Sequence, residues 1–464
     1  MAKQVKAPAF SFFLIAFALY FVFAAGEFVN LWDSLRLWGA YPKVLHTTQA
    51  LQLGEGSVLY PSMQSYPPGM PLLCYFFTSF SPVFSESTLF LTYSLFGLSM
   101  SLPLLEGVSG RSKKTQLWVF WGIIFIPWFI SSVNDDFAQY YSSLFIDLPL
   151  GICCGYTFFL AFRRFGSSTL ENIRFLLACG CVALLKDSGS FIAVCCVAGA
   201  LVSCILRRRE IRFAKALLWL LASAAVMLFV WRSWGFLRDR SAIANHLQLG
   251  FTIPPISVLI RIAYRFLITP ASSPLLPIGS FSVSLPFALI IIFAVKLLLC
   301  RYGEKQRMKL EIFDILIQAV CYGAFFVGYC FIFLEQIQEG VYPSYSRYMN
   351  TLLISAVYIL AADCIFRHQG ILTDLFTRLK AAFGGDDAPA KLVRAGGKVL
   401  RLVVLAASVM ALLMILIDRQ DPSGPLYVQA RKTAAAAVEK IPAPTDEPYT
   451  DIFLCITGAD ESNY

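Results

Sequence analysis

Residues 26–52 read GEFVNLWDSLRLWGAYPKVLHTTQALQ and, together with SYPPGMPLL at 65–73, form the first long polar interruption of an apolar chain. They follow an apolar opening segment, residues 8–25, which is long enough to cross a membrane. Asp33 therefore lies a few residues beyond the predicted end of a membrane helix. A carboxylate at that depth costs free energy unless the site uses it. We predict a functional role for Asp33, with a helix N-cap before Ser34 as the alternative.

The composition places the chain among polytopic membrane proteins. Of its 464 residues, 58% are hydrophobic and only 14% are charged, against roughly 25% charged residues in soluble domains. The 13 cysteines lie mainly in apolar runs, where cysteine acts as a small hydrophobic residue. The net charge of +9 comes largely from short basic clusters between apolar runs, which are typical of orientation signals rather than of nucleic-acid binding.

Runs of about 17 to 22 apolar residues predict an all-α fold with eleven membrane spans. The approximate cores of the spans are 8–28, 87–109, 115–133, 146–163, 172–187, 189–206, 214–234, 280–299, 311–333, 349–366 and 401–417. The first run is longer than the apolar region of a signal peptide, so we expect a retained anchor helix.

The distribution of basic residues predicts the orientation. With the N-terminus in the cytoplasm, the inner segments hold 24 of the 38 Lys and Arg residues, and the positive-inside rule then places the C-terminus outside. We expect a transmembrane domain over 1–417, with 29–86 as its first outer loop, and a short outer tail over 418–464. The outer loops are the longer ones, and function concentrates on elaborated loops. No inner segment carries a P-loop motif.

Two apolar stretches on the predicted outer side are too short or too polar to span. Residues 69–83 follow a Pro-Pro pair, and residues 255–270 place Arg261 and Arg265 four positions apart on one helical face. Both stretches indicate helices lying in the membrane interface. For the two arginines, ordinary snorkelling to lipid headgroups and binding of a lipid phosphate both remain open.

Further carboxylates lie near the third and fourth predicted spans. Asp147 lies at the outer end of the fourth span, where it is either a functional residue of the site or a helix cap. Asp135 and Asp136 are candidate ligands, with Asp33, of Mg²⁺ or Mn²⁺, because these ions favour carboxylates. A solvated acidic loop is the alternative for that pair.

Cations and aromatic rings complete the predicted outer site. Lys186 lies between the fifth and sixth spans, where pairing with the adjacent Asp187 is the alternative, and Arg347 precedes the tenth span. Arginine grips phosphate through paired hydrogen bonds, although an interfacial anchor explains Arg347 as well. We further predict that Trp38, Lys43 and Tyr66 contact a sugar or an acceptor.

The order of these motifs resembles the GT-C superfamily of polyprenyl-phosphate-dependent membrane glycosyltransferases, which includes protein O-mannosyltransferases and the aminoarabinose transferases of lipid A. The resemblance covers residues 8–366 in order and topology. The matching motifs are NLWDSLRLW around Asp33, YPPGMPLL, FIDLPLG around Asp147, LLKDSGS around Lys186, and SRYMN around Arg347.

The resemblance implies an inverting transferase that uses a polyprenyl-phosphate-sugar donor on the extracytoplasmic face. Asp33 would be the general base and Asp147 a second essential acid near the acceptor or sugar. Lys186, Arg347 and Arg265 would offset charge on the leaving phosphate. Relatives differ in their use of a metal, and the first loop has WDS in place of a DxD or DE pair.

Two other classes stay open. A flippase or transporter of a lipid-linked sugar would show inverted repeats and broken helices at mid-membrane, and a polysaccharide polymerase or ligase of another fold would depend on outer arginines. The expected partners are the donor lipid, a glycan, lipid or protein acceptor, and the membrane, without nucleic acid. We expect a bacterial inner membrane, because the sequence shows no retention signal.

Overall fold

The regular elements of the described residues are helices. The structure is a computed structural model that describes residues 8–25, 27, 29, 34–54, 57, 59, 64–131, 144–241, 243, 256–268, 284–298, 305–342 and 344–367. The helices are α1 (Pro8–Ala24), α2 (Ala40–Thr48), α3 (Gly69–Thr78), α4 (Glu86–Ser101), α5 (Lys113–Ser131), α6 (Asp147–Phe159), α7 (Thr169–Leu185), α8 (Asp187–Leu206), α9 (Phe213–Arg240), α10 (Ile256–Ile268), α11 (Leu285–Leu298), α12 (Lys305–Ile332), α13 (Leu334–Gln338) and α14 (Tyr345–Arg367). A 3₁₀ turn, Leu102–Val108, continues α4, and π-helical turns occur at Ser34–Trp38 and Leu160–Arg164.

Helical segments coincide with the first ten predicted spans. Among the described residues, five segments are both long and apolar enough to cross a membrane: Glu86–Val108, Asp187–Leu206, Phe213–Arg240, Arg307–Ile332 and Arg347–Phe366. The prediction of an all-helical, multi-pass membrane protein is therefore confirmed. The number eleven and the orientation stay predictions, and the eleventh span and the tail lie outside the described residues.

Helices α6 and α14 form the centre of the bundle. Every residue of α6 is buried, as expected of a helix enclosed by other helices. The two helices run parallel and approach closely because glycine occupies two successive turns of α6. A methyl group on Gly151 would lie 2.7 Å from the carbonyl oxygen of Thr351, and one on Gly155 would lie 2.6 Å from Cβ of Tyr358. Such small-xxx-small spacing lets membrane helices pack backbone to backbone.

The substitution Gly155→Ala is expected to lower the stability of the bundle. The added methyl group must push α6 and α14 apart, and overpacking of this kind costs about 1–3 kcal/mol. Thermal unfolding in detergent measures the change. Gly323→Ala is the matched control, because a methyl group at this α12 position meets no atom within 4 Å. Equal melting temperatures for the two variants would contradict the close approach of α6 and α14.

The remaining helices surround this centre. Helices α7, α8 and α9 pack on one another, and α8 also contacts α12. Helix α9 presents large apolar side chains outward, with Phe229 73% exposed, which fits a helix that faces lipid. Helix α10 has Val258 and Ile262 buried on one side while Arg261 and Arg265 are exposed. The predicted amphipathic helix is therefore present, with both arginines on one exposed face.

Candidate functional site

Three predicted site residues from distant parts of the chain meet at one end of the bundle. Asp147 begins α6, Lys186 joins α7 to α8, and Arg347 lies in the first turn of α14. The Nζ atom of Lys186 lies 2.8 Å from Oδ1 of Asp147, and Nε of Arg347 lies 3.1 Å from Oδ2. We call these three side chains the Asp147 cluster.

Aromatic rings enclose the two cations of the Asp147 cluster. Lys186 Nζ lies 4.0 Å from the ring centroid of Tyr348, and the Arg347 guanidinium lies 4.4 Å from that of Phe145. The side chain of Asp147 is 6% exposed and that of Arg347 is 17% exposed, so solvent reaches the cluster mainly beside the arginine. Positive charge exceeds negative charge by one within the cluster. Such an arrangement favours an anionic ligand approaching Arg347.

The position of Asp147 bears on its two interpretations. Ile146 holds the N-cap position of α6, and Asp147 is the first residue of the helix. Asp147 is therefore not itself the N-cap residue, and its role in the site stays a prediction. Both carboxylate oxygens instead face cations, and the Thr351 hydroxyl donates to the backbone carbonyl of Asp147 at 3.2 Å. This geometry suits a carboxylate that positions Lys186 and Arg347 better than one that accepts a proton.

The first loop brings two of the predicted sugar-binding residues together. The rings of Trp38 and Tyr66 meet edge to face at 5.9 Å. Trp38 is only 4% exposed, so little of its ring is open to a ligand here, whereas Lys43 projects outward from α2. Burial raises the pKa of the Tyr41 hydroxyl well above its ordinary value. Among the described residues, no contact of Trp38 or Lys43 reaches Asp147.

Helix α3 docks directly beside the Asp147 cluster. A methyl group on Gly69 would lie 2.6 Å from the carbonyl oxygen of Leu184, two residues before Lys186. The glycine after the Pro-Pro pair is therefore what allows the first loop to reach the end of α7. The Trp234 indole also donates to the Ser65 carbonyl at 3.3 Å, which ties the same loop to α9.

The other predicted residues have different positions. Arg265 lies with its guanidinium 4.7 Å from the ring centroid of Tyr342, and Arg261 donates to the carbonyl of Gln338 at 3.1 Å. Asp33, Asp135 and Asp136 lie outside the described residues, so their roles as base and metal ligands stay predictions.

A second group of charged side chains lies at the opposite end of α6 and α14, and the sequence reasoning did not assign it to the site. Its members, which we call the Arg163 network, are Arg163, Lys296, Glu311, Asp314 and Asp363. Arg163 contacts Glu311 at 2.6 Å, Asp314 at 2.9 Å and Asp363 at 2.7 Å. Lys296 contacts Asp314 at 2.7 Å. The side chains that are at most 1% exposed are those of Lys296, Glu311, Asp314 and Asp363.

The spacing of the three carboxylates of the Arg163 network is compatible with a bound metal ion. One oxygen from each lies within 4.8 Å of the others, and oxygen ligands suit Mg²⁺ or Mn²⁺. Arg163 and Lys296 already donate to these oxygens and offset two of the three negative charges. A divalent ion would therefore have to displace at least one cation. The contacts fit a self-neutralised ion-pair network better than a prepared metal site.

A signal for the Arg163 network was present in the sequence. Lys296, Asp314 and Asp363 stand inside predicted membrane spans, and ionisable residues at such depth are rare unless paired or functional. Tyr348 and Phe145 gave no comparable signal, because aromatic residues are common throughout this chain.

Comparison with known proteins gives distant structural likeness only. No protein family and no curated protein matches the chain. The archaeal oligosaccharyltransferase AglB from Archaeoglobus fulgidus, in complex with an inhibitory peptide and a dolichol-phosphate, is 15% identical with a TM-score of 0.43, over 94% of this chain and 58% of that chain. The apo form of the Archaeoglobus fulgidus oligosaccharyltransferase is 16% identical with a TM-score of 0.41, over 97% and 62%. The chain thus spans about three fifths of their length.

Proposed function

We propose that this chain is a GT-C-like glycosyltransferase that moves a sugar from a polyprenyl-phosphate donor to an acceptor hydroxyl on the extracytoplasmic face. The observation that carries the proposal is the Asp147 cluster. Asp147, Lys186 and Arg347 belong to three separate sequence motifs. In the structure, Lys186 and Arg347 both lie within hydrogen-bonding distance of the Asp147 carboxylate. Their arrangement presents two cations beside a docked first loop, at the helix ends that the orientation rule places outside.

The cluster's chemistry fits the departing group of such a transfer. As the acceptor oxygen attacks the anomeric carbon, the bond from that carbon to the phosphate oxygen breaks, and the phosphate leaves with the electron pair. Lys186 and Arg347 would stabilise the charge that develops on this phosphate. Asp33 would take the proton of the acceptor hydroxyl as general base. Asp147 would hold the two cations in position.

A transporter or flippase of a lipid-linked sugar is the second candidate. The Arg163 network favours it, because buried charges within membrane helices also mark ion and substrate pathways. The two functions differ in a simple requirement. Sugar transfer proceeds in detergent micelles, whereas transport needs two compartments separated by a membrane.

The substitution Asp33→Asn tests the transferase. Loss of the general base is expected to lower transfer of labelled sugar from a polyprenyl-phosphate donor in micelles by about 10²–10⁴-fold, with an unchanged level of folded protein. Asp239→Asn is the matched control, since Asp239 is an exposed carboxylate near the predicted outer end of α9. Full activity of the Asp33→Asn variant would contradict the assignment of Asp33 as the general base. If no preparation transferred sugar but the chain transported lipid-linked sugar in vesicles, the result would favour the transporter.

A further inference from the structure

The connection between α8 and α9 carries a dense group of basic residues. Residues 207–215 read RRREIRFAK, with four arginines, one lysine and a single acid. The positive-inside rule uses such charges only as an orientation signal, and neither the Asp147 cluster nor the Arg163 network includes them. We call residues 207–212, which join the two helices, the basic turn.

Contacts with the start of α7 fix the basic turn in place. Arg207 donates to the backbone carbonyl of Phe165 at 3.3 Å, and its side chain is only 14% exposed. Nζ of Lys215, in the first turn of α9, lies 3.4 Å from the Thr169 hydroxyl of α7. Within the turn, the backbone N–H of Ile211 donates to the carbonyl of Arg207 at 3.2 Å. The turn is therefore ordered before any ligand binds, which lowers the entropic cost of binding.

Three arginines of the basic turn keep an uncompensated charge. The acid of the turn, Glu210, lies 3.6 Å from Arg207 and so offsets the arginine that already faces inward. Arg208, Arg209 and Arg212 are exposed, and they form no ion pair within the part of the chain that the structure describes. A guanidinium binds phosphate oxygens through paired hydrogen bonds. A phosphate-bearing anion is therefore the ligand that complements this surface.

The position of the basic turn indicates that this anion is a lipid headgroup. Helices α8 and α9 are both long and apolar enough to cross a membrane, so a short turn between them lies at the level of the headgroups. Apolar side chains flank the turn on both helices, with Ile205 49% and Leu218 68% exposed. A phospholipid whose phosphate meets the arginines can place its acyl chains beside these two side chains, whereas a soluble anion gains nothing from them.

We propose that the basic turn is a docking surface for an anionic phospholipid. Basic residues at a membrane surface attract lipids with a net negative headgroup, so the surface should select these over zwitterionic lipids. The bound headgroup would contact the end of α8 and the start of α9 together and stabilise their packing on α7. The proposal goes beyond the proposed sugar transfer and does not depend on it, because this lipid is a structural partner and not a substrate.

Thermal unfolding of the full chain in maltoside micelles tests the docking surface. Added phosphatidylglycerol is expected to raise the melting temperature of the wild type, because a ligand bound by the folded state stabilises it. Phosphatidylcholine with the same acyl chains should not. The combined substitution Arg208→Gln and Arg209→Gln should melt like the wild type without lipid, since both side chains are exposed. It should require roughly 10-fold more phosphatidylglycerol for the same rise.

A matched double variant separates a docking surface from general attraction between charges. Lys113→Gln with Lys114→Gln removes two exposed cations from the start of α5, on the same predicted side of the membrane, and should respond to phosphatidylglycerol like the wild type. An equal loss of response in both double variants overturns the proposal. Should the Arg208 and Arg209 variant melt early without lipid, Arg212→Gln takes its place in the same titration.

Two further results would contradict a lipid ligand. If phosphatidylcholine raises the melting temperature as much as phosphatidylglycerol does, the acyl chains and not the headgroup charge cause the stabilisation. If inorganic phosphate at the same concentration has the full effect, the basic turn binds a free anion. A response to phosphatidylglycerol alone, weakened by the arginine substitutions and not by the lysine substitutions, supports the docking surface.

Discussion

The substitution Asp147→Asn is expected to abolish sugar transfer and to lower the free energy of unfolding by about 3–5 kcal/mol. The amide keeps the shape of the carboxylate but leaves Lys186 and Arg347 without their shared counter-charge. Their side chains are only 10% and 17% exposed, and breaking a buried ion pair by removing one partner costs about this much. Thermal unfolding in detergent and transfer of labelled sugar measure the two effects.

A second variant separates the electrostatic role of Asp147 from its role in transfer. Asp147→Asn combined with Lys186→Met restores the charge excess of the wild type, one cation over the acids. Most of the lost stability is therefore expected to return, because a buried pair replaced as a whole costs little. Transfer should stay absent. If transfer also returned, neither Asp147 nor Lys186 would be needed for it, and the site assignment would be wrong.

Glu106→Gln is the matched control for Asp147→Asn. Glu106 also faces two cations, Arg174 at 3.0 Å and Arg164 at 3.8 Å, but its side chain is 43% exposed. Exposed pairs contribute about 0–1 kcal/mol, so this variant should remain close to the wild type in stability. An equal loss at positions 106 and 147 would mean that burial does not distinguish the two sites.

The meeting of Asp147, Lys186 and Arg347 was predictable because each stands at a helix end. Counting apolar runs and basic loops assigned all three residues to one side of the membrane, and their motif context selected them among the polar residues there. The sequence did not reveal that one carboxylate would serve both cations, since Arg347 and Asp147 are 200 residues apart. That pairing depends on the close approach of α6 and α14 at Gly151 and Gly155.

The Arg163 network escaped sequence reasoning for a related reason. The positive-inside count treats each basic residue only as a property of its own segment. The structure shows that the partners of Arg163 and Lys296 come from α12 and α14, and only packing of four segments can reveal such pairing. Sixteen residues separate Asp147 from Arg163, so the two charged groups lie about 24 Å apart along the helix.

Removal of the Arg163 side chain is expected to be the most destabilising single change at the other end of the bundle. In Arg163→Met, three carboxylates that are at most 1% exposed keep Lys296 as their one remaining cation within the network. The expected loss is about 3–5 kcal/mol of the free energy of unfolding, seen as a lower melting temperature and a lower level in membranes. Arg174→Met is the control, because Arg174 is 27% exposed and pairs with the exposed Glu106.

Combining Arg163→Met with Asp363→Leu determines what the network is. If the five side chains form an ion-pair network, the double variant keeps the original charge balance and should recover most of the lost stability. If the carboxylates instead hold a metal ion, removing Asp363 deletes a ligand, and the double variant should be less stable than Arg163→Met. The metal arrangement also requires that EDTA lower the melting temperature of the wild type, because a ligand bound only by the folded state stabilises it. If stability recovers in the double variant and EDTA has no effect on the wild type, Arg163 neutralises the carboxylates of α12 and α14 and joins these two helices to the end of α6.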